Sequence, residues 1–397
     1  MKNIKVEKNI SNMVKRESLT GGATAAKALR QINPDVMPVY PITPQTTIIS
    51  TFAKFEAEKV VDTEIITMES EHSVMSACIG ASTAGARTVT ATSSQGLALM
   101  NEMLYIASGM RLPIMLLVSA RALSAPLNIH GDHSDVMGAR DTGWIQIFSE
   151  NAQEVYDNTL MGMKLTEKSN VPVMVIMDGF ITSHSVETLS TLSDEMVKNF
   201  VGKYQPDLSL LDVKNPITYG SLALPNTYFE FKIDQEKAMQ DVAGHYRNVA
   251  YDFEKISGRF HDFFESYYAE DAEYVIVVAG STAGIIKDVV DDLRKNGKKV
   301  GLLKIKLFRP FPHQEIASIF SKTKNIAVLD RAMSFGTNPP LYSEIINSMS
   351  GRNTRHDFRV ASYVYGLGGR NIFQKDIVKI FESMEIGSLS KETIYIK

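Results

Sequence analysis

From Gly21 to about Ser185 the chain alternates short apolar runs with longer stretches whose apolar positions recur every three or four residues. The runs VMPVYP (36–41), DTEIITM (62–68), RTVTATS (87–93), LPIMLLVSA (112–120) and VPVMVIMD (171–178) predict strands. Between them QTTIISTFAKFEAEK (45–59), with Ile48, Phe52 and Phe55 on one face, EHSVMSACIGASTAG (71–85) and LALMNEMLYIASGM (97–110) predict helices. Strand, loop and helix in repeated order give an α/β fold with a parallel sheet, in which functional loops gather at the carboxyl ends of the strands.

The pattern then changes. VGKYQPDLSLLDVKNPITYGSLALPN (201–226) has three prolines and no sustained period, and the stretch from Asp234 to Tyr268 is strongly helical. A second α/β unit follows: strands YVIVVAG (274–280), KVGLLKIKL (299–307), NIAVLD (325–330) and FRVASYVYGL (358–367), with helices between them. The expected division is a first domain over 1–190, a wrapping linker and bridging helix over 191–265, and a second domain over 266–397. No repeat of solenoid length is present.

A chain of 397 residues can bury more than one core, and a formal charge of −3 argues against a dedicated nucleic-acid binder. No apolar run reaches the roughly 18 residues of a membrane span. The opening MKNIKVEKNISNMVKR is basic without a signal-length apolar segment, so a cytoplasmic address is expected, with no membrane partner. Cys78 is the one cysteine, too few for an iron–sulfur cluster held by this chain alone.

Several strand-end segments carry candidate chemistry. In YPITPQTT, Pro41 and Pro44 stiffen a loop and Thr43 offers a hydroxyl at the end of a strand; a plain strand-to-helix turn explains the prolines equally well. In TMESEHS, Glu69 suits a helix amino terminus, whereas Glu71 precedes small and apolar residues and can face a dry cleft suited to proton exchange. His72 is a weaker candidate base. Ser93, Ser94, Gln95 and Gly96 form a junction that could cradle a polar ligand or simply cap a helix. Arg121 closes a strand where a guanidinium can grip a carboxylate, or pair with a structural acid. His130, Asp132, His133 and Asp135 crowd one loop without the ordered spacing of a metal motif, so no metal is assigned. Arg140 with Asp141 reads as an ion pair and Trp144 as packing. In the second unit, Gly280 and Gly284 around Ser281 and Thr282 resemble a phosphate-cradling turn but lack a P-loop lysine. Gly366, Gly368 and Gly369 supply backbone freedom with no chemistry nearby.

Taken in order, YPITP, ESEHS, TSSQGLALMNE, ARAL and GDHSD, followed by KVGLLKIKLFRPFP and YGLGGRN, resemble the alpha subunits of 2-oxoacid:ferredoxin oxidoreductases, nearest to the pyruvate enzyme, over almost the whole chain. The resemblance implies a pyrimidine-side thiamine diphosphate domain followed by a domain like the carboxyl-terminal domain of transketolase. It implies that Glu71 hydrogen-bonds a ring nitrogen of the aminopyrimidine and favours the imino tautomer, whose nitrogen takes the proton from the thiazolium carbon. It also implies that Pro41 lies against the cofactor and that Thr43 and Arg121 hold the substrate carboxylate. Electrons would pass to [4Fe-4S] clusters on partner subunits and on to ferredoxin, and coenzyme A would take the acyl group.

The Gly-Asp-Gly motif that anchors the diphosphate through magnesium is absent; the nearest string is GDH at 131–133. The resemblance therefore places that anchor on a beta subunit, beside gamma and ferredoxin-like delta subunits. Gln45 stands where relatives often carry Ser and could change pocket size. The rival expectations are a scaffold or regulatory subunit without chemistry and an enzyme for another 2-oxoacid, such as 2-oxoisovalerate or 2-oxoglutarate.

Overall fold

The computed structural model describes residues 14–350 and 359–397; most of the basic opening segment and Phe358 lie outside them. The chain runs β1 (Val14–Thr20), α1 (Gly21–Ile32), β2 (Val36–Val39), α2 (Thr46–Ala57), β3 (Glu64–Thr67), α3 (Glu71–Thr83), β4 (Thr88–Thr92), α4 (Ser94–Leu99), α5 (Asn101–Gly109) and β5 (Ile114–Ala120). Next come α6 (Ser134–Gly138), β6 (Ile145–Ser149), α7 (Ala152–Ser169), β7 (Val173–Asp178), β8 (Val186–Leu192), α8 (Asp194–Val201) and α9 (Tyr228–Ser257). The remainder is β9 (Phe264–Tyr267), β10 (Tyr274–Ala279), α10 (Thr282–Lys295), β11 (Val300–Ile305), β12 (Leu307–Arg309), α11 (His313–Ile319), β13 (Asn325–Asp330), α12 (Pro340–Met349), β14 (Arg359–Val364), α13 (Gln374–Glu385) and β15 (Ile394–Tyr395).

Two mostly parallel sheets result, as the alternation of elements requires. The first has the order β12-β6-β7-β5-β4-β2-β3 and the second β15-β14-β13-β10-β11-β9, and within these two the edge strands β12 and β9 run antiparallel to their neighbours; β1 and β8 form a separate antiparallel pair. From β2 the chain steps outward to β3, then returns to the other side of β2 as β4. The switch point of the first sheet thus lies between β2 and β4, where parallel sheets form their ligand crevices. These strands share a single ladder pair, Val36 with Thr88. Beyond it Pro38 has no N–H to give, and its carbonyl is taken by the Thr90 hydroxyl at 2.6 Å. The two strands lead into separate loops at this gap.

Ile48 and Phe52 are buried and Phe55 packs against the same core, as the helical spacing of 45–59 predicts. The helix expected over 234–268 instead ends at Ser257. Gly258 takes a left-handed φ of 70° and donates to the Glu254 carbonyl at 2.8 Å, and the following residues form β9. The run read as one strand over 299–307 divides: β11 stays in the second sheet, and β12 crosses to extend the first beside β6. An apolar layer from Val74, Leu97 and Trp144 continues through Val277, Leu303 and Ile345, so the two sheets share a core.

Buried polar groups tie the same junction. Asp178, at the end of β7, accepts from His133 Nε2 at 2.6 Å, the Ser281 N–H at 2.9 Å and Arg331 Nη1 at 3.0 Å, and from the Ser281 hydroxyl. The turn that resembled a phosphate cradle is therefore occupied by a carboxylate of the protein itself. Lys304 is buried among Glu150, Glu154 and Glu265, with Lys287 also on Glu150 and Glu265 and Lys306 on Glu154 at 3.0 Å. These three carboxylates sit as close together as metal ligands do, but the lysines neutralise them.

Burial alone would raise the Asp178 carboxyl, but the charges of His133 and Arg331 and the bonds from His133 and Ser281 outweigh it and hold it well below the usual range. A depressed acid stabilises the fold above the unfolded value of about 4 and loses that contribution as pH falls. Asp178→Asn is expected to destabilise the protein by about 3 kcal/mol at neutral pH. Urea midpoints should also show a shallower loss of stability below about pH 4 in the variant than in the native chain. Equal acid sensitivity in the two proteins would remove the ionic role given to Asp178.

Candidate functional site

The site is assembled from the loops that leave β2, β3, β4 and β5 at their carboxyl ends. Residues 40–45 form the first. Gln45, the residue expected to alter pocket size, is fully buried and turned back into this loop, donating to the Tyr40 carbonyl at 3.0 Å. Pro44 packs against Gly179, and the Thr43–Pro44 peptide is cis. Pro41 and Thr43 are exposed, so the loop presents Thr43 outward.

Arg121, the first residue after β5, is only 5% exposed. Its Nη1 donates to the Thr43 carbonyl at 2.9 Å and its Nε to the Asn128 carbonyl at 2.9 Å. Among the described residues its guanidinium has no carboxylate in ion-pair range, which answers the structural alternative left open by the sequence. Burial lowers the Arg121 pKa and the nearby Asp135 raises it, with burial dominant. A buried cation without a counter-ion, touching the loop that carries Thr43, is suited to receive a small anion.

Glu71 is the first residue of α3, whose N-cap Ser70 accepts from the Ser73 N–H at 3.2 Å. The residue is 6% exposed, and its carboxylate makes no hydrogen bond to a described residue. A side chain at position 96 would stand 2.6 Å from Glu71 Oε1 and collide with the Thr92 hydroxyl, so Gly96 gives Glu71 its room. The Thr92 hydroxyl and Gln95 Nε2 are likewise buried without partners. Glu71 and the Thr92 hydroxyl, both without protein partners and both against Gly96, fit a polar ligand that hydrogen-bonds them. Glu69, by contrast, accepts from the Ser73 hydroxyl, the helix-terminal role expected of it, and His72 faces Glu102 at 3.5 Å.

The hydroxyls of Ser93 and Ser94, candidates for cradling a ligand, turn inward to the carbonyls of Ser119 and Ala122. The crowded loop after Arg121 does not converge on a metal. Asp132 receives Ser134 and the Gly368 N–H, His133 pairs with Asp178, and Asp135 accepts the N–H groups of Ser94 at 2.7 Å and Arg121 at 2.9 Å on one oxygen and that of Val136 at 2.8 Å on the other. Sequence reasoning missed this last role because Asp135 ties together strand ends 41 and 14 residues away. Ser94 has a left-handed φ of 51°, rare for a residue with a side chain, and its N–H is the one Asp135 holds. Arg140 and Asp141 approach to 3.8 Å, and Trp144 is buried with its Nε1 on the Leu104 carbonyl, both as expected.

A family model described as pyruvate flavodoxin/ferredoxin oxidoreductase, thiamine diphosphate-binding, matches residues 27–250, and one described as pyruvate:ferredoxin oxidoreductase core domain II matches residues 272–377. The chain is similar to the pyruvate synthase subunit PorA of Thermotoga maritima, 50% identical over 96% of this chain and 97% of that one. It is also similar to PorA of Methanocaldococcus jannaschii, 44% identical over 95% and 96%. The ketoisovalerate oxidoreductase subunit VorA of Pyrococcus horikoshii is 42% identical over 95% and 96%. Among solved structures, a 2-oxoglutarate:ferredoxin oxidoreductase from Magnetococcus marinus superposes with a TM-score of 0.71 at 20% identity, covering 93% of this chain and 65% of that one. A split-gene transketolase superposes with a TM-score of 0.54 at 12% identity over 92% and 98%. The expected fold class, an α/β thiamine-diphosphate-type domain followed by a second α/β unit, is borne out.

Burial pushes the Asp135 carboxyl up to about 7, against the amides of Arg121, Ser94 and Val136, which favour its ionised form. The folded chain therefore holds this proton between about pH 4 and 7 where the unfolded chain has released it, and stability falls as pH rises through that window. Asp135→Asn keeps an acceptor for the Ser94 and Arg121 N–H groups. Denaturation at a series of pH values is expected to show this component of the decline, with a slope of up to about 1.4 kcal/mol per pH unit, removed in the variant and nothing changed in slope above pH 7. A slope unchanged by the substitution would assign the proton elsewhere.

Proposed function

Since the chain belongs to the pyruvate flavodoxin/ferredoxin oxidoreductase family, we propose that it is the alpha subunit of a 2-oxoacid:ferredoxin oxidoreductase. Its reaction is the oxidative decarboxylation of pyruvate to acyl-coenzyme A and carbon dioxide with reduction of ferredoxin, or the reverse. The observation that carries this is the buried Arg121 guanidinium, without an acidic partner, bonded to the Thr43 loop at the switch point of the sheet. The 50% identity to the Thermotoga maritima pyruvate synthase subunit, against 42% to the ketoisovalerate subunit, favours pyruvate over branched 2-oxoacids.

In this reading Arg121 and the Thr43 hydroxyl bind and orient the substrate carboxylate. Orientation matters because that group leaves as carbon dioxide, so the bond to it must stand correctly for cleavage. Glu71 receives the aminopyrimidine of thiamine diphosphate, with Pro41 beside it. Its buried carboxylate, free of protein partners, can hold a ring-nitrogen proton and so govern proton exchange at the reactive carbon. When bound, thiamine diphosphate supplies the carbon nucleophile for the 2-oxo group and the sink for the electrons released on decarboxylation. A scaffold without chemistry is disfavoured, since it has no need of an unpaired buried cation and an unpaired buried carboxylate at one crevice.

The reading also gives this subunit half of a site. Asp132 and Asp135 are committed to the protein's own N–H groups, so the diphosphate and its magnesium belong to a beta subunit, with [4Fe-4S] clusters on further partners. Cys78 is fully buried and its thiol pushed far up by desolvation, which suits packing rather than metal binding. Exposed Ile66 on edge strand β3 and Leu99, Tyr105 and Ile106 on the helices after β4 offer an apolar surface beside the crevice for a partner. The division into 1–190, 191–265 and 266–397 is proposed on the same footing, with β12 reaching back into the first sheet.

Glu71→Gln should leave assembly intact and slow deuterium exchange at the thiazolium carbon of bound cofactor by about 100-fold or more. Exchange at the native rate would remove Glu71 from the reaction. Gly96→Ala, which crowds Glu71 without altering it, is expected to weaken thiamine diphosphate binding in the assembled enzyme by about tenfold, read by calorimetry. Arg121→Ala should chiefly raise KM for the 2-oxoacid, and an unaltered substrate dependence would exclude Arg121 from the site.

A further inference from the structure

The glycine turn near the carboxyl end, at residues 366–369, belongs to the second sheet yet packs on the loop that follows Arg121. The Gly368 carbonyl accepts from Asn128 Nδ2 at 3.1 Å, and the Gly368 N–H donates to Asp132 Oδ2 at 3.1 Å. Gly368 sits at a φ of 59°, and a side chain there would run into the Asn128 amide; one on Gly369 would run into His130. Only glycines permit both the conformation and this approach. The turn is itself fixed, because Arg331 donates to the Gly366 carbonyl at 3.2 Å while its Nη1 is held by Asp178.

Asn128 faces the active loop as well as the turn. Its backbone carbonyl is the acceptor for Arg121 Nε at 2.9 Å, and its side-chain oxygen receives the His130 N–H at 2.7 Å. The tip between them, residues 124–127, is exposed, with Leu127 at 76%. The Asn128 side chain is thus held by two bonds, one to the His130 N–H of its own loop and one to the Gly368 carbonyl of the second domain. An unbroken series of bonds runs from the Gly368 carbonyl through Asn128 and the Arg121 guanidinium to the Thr43 carbonyl.

We propose that this glycine turn sets the position of the Arg121 guanidinium, with Asn128 and Gly368 as positioning residues for the 2-oxoacid carboxylate. The inference rests on the assignment of Arg121 above. It makes the second domain a determinant of substrate binding. Loss of the Asn128 side chain, or a methyl group at 368, frees the carbonyl that Arg121 Nε uses, and the guanidinium no longer meets the incoming carboxylate in one orientation.

The test uses the assembled enzyme with Asn128→Ala, Gly368→Ala, the double variant and Arg121→Ala. Four quantities are read: KM, kcat, calorimetric affinity for oxamate as a non-reacting carboxylate probe, and deuterium exchange at the thiazolium carbon. Each single positioning variant is expected to raise KM and weaken oxamate by about fivefold or more, with kcat and exchange near native. The two changes should be strongly non-additive, because Asn128→Ala removes the group that a methyl at 368 strikes. If Arg121→Ala weakens oxamate while Asn128→Ala does not, the turn is only structural and the proposal is overturned. If Arg121→Ala is itself silent, the assignment beneath it falls and takes the proposal with it. Should Gly368→Ala fail to fold, Asn128→Ala decides the matter alone.

Discussion

The buried carboxylate of Asp135 is the constraint on which the crevice depends. One of its oxygens accepts the N–H of Ser94 at the end of β4 and the N–H of Arg121 at the end of β5. Parallel strands diverge once their ladder stops, and their terminal amides then lack partners. A single acceptor that satisfies one amide from each strand keeps the two loops at a fixed separation. It also holds Ser94 in its left-handed conformation, and so delivers Gly96 beneath Glu71. The positions of the acid and of the guanidinium are thus set by one group that is neither.

A second carboxylate, Asp178, does the corresponding work between the two sheets. It gathers His133 from the loop after β5, Ser281 from the start of α10 and Arg331 from the end of β13. Asp178, His133 and Arg331 are buried, and a buried ion pair holds only when its remaining donors and acceptors are also met. The lysine and glutamate network around Lys304 obeys the same rule on the other side of the junction. Charge used in this way leaves Arg121 conspicuous as a cation with carbonyl partners but no acid.

Much of this was legible in the sequence, and the illegible part has a common cause. Periodicity located the central strands and the face of α2 because burial imposes the period directly. It passed over β6, where Gln146 interrupts the apolar run but is buried and bonded to the Val136 carbonyl. It joined β11 to β12 because a three-residue strand that changes sheets leaves no local mark. The order of motifs singles out Thr43, Glu71 and Arg121 as candidates, and the structure brings the Thr43 loop to Arg121 and leaves Glu71 without a protein partner. The roles of Asp135, Asp178 and Gly368 were not found. Each acts on residues distant in the chain, by side-chain bonds to backbone groups that carry no residue-specific signature.

The central claim is that these strand ends form half of a cofactor site, complete only against another polypeptide. Calorimetric titration of thiamine diphosphate with magnesium tests it most directly, first into this chain alone and then into the chain joined with the proposed beta subunit. The expected result is no tight binding by the isolated chain and stoichiometric binding by the pair. Tight binding by the isolated chain, with turnover of a 2-oxoacid, would contradict the account.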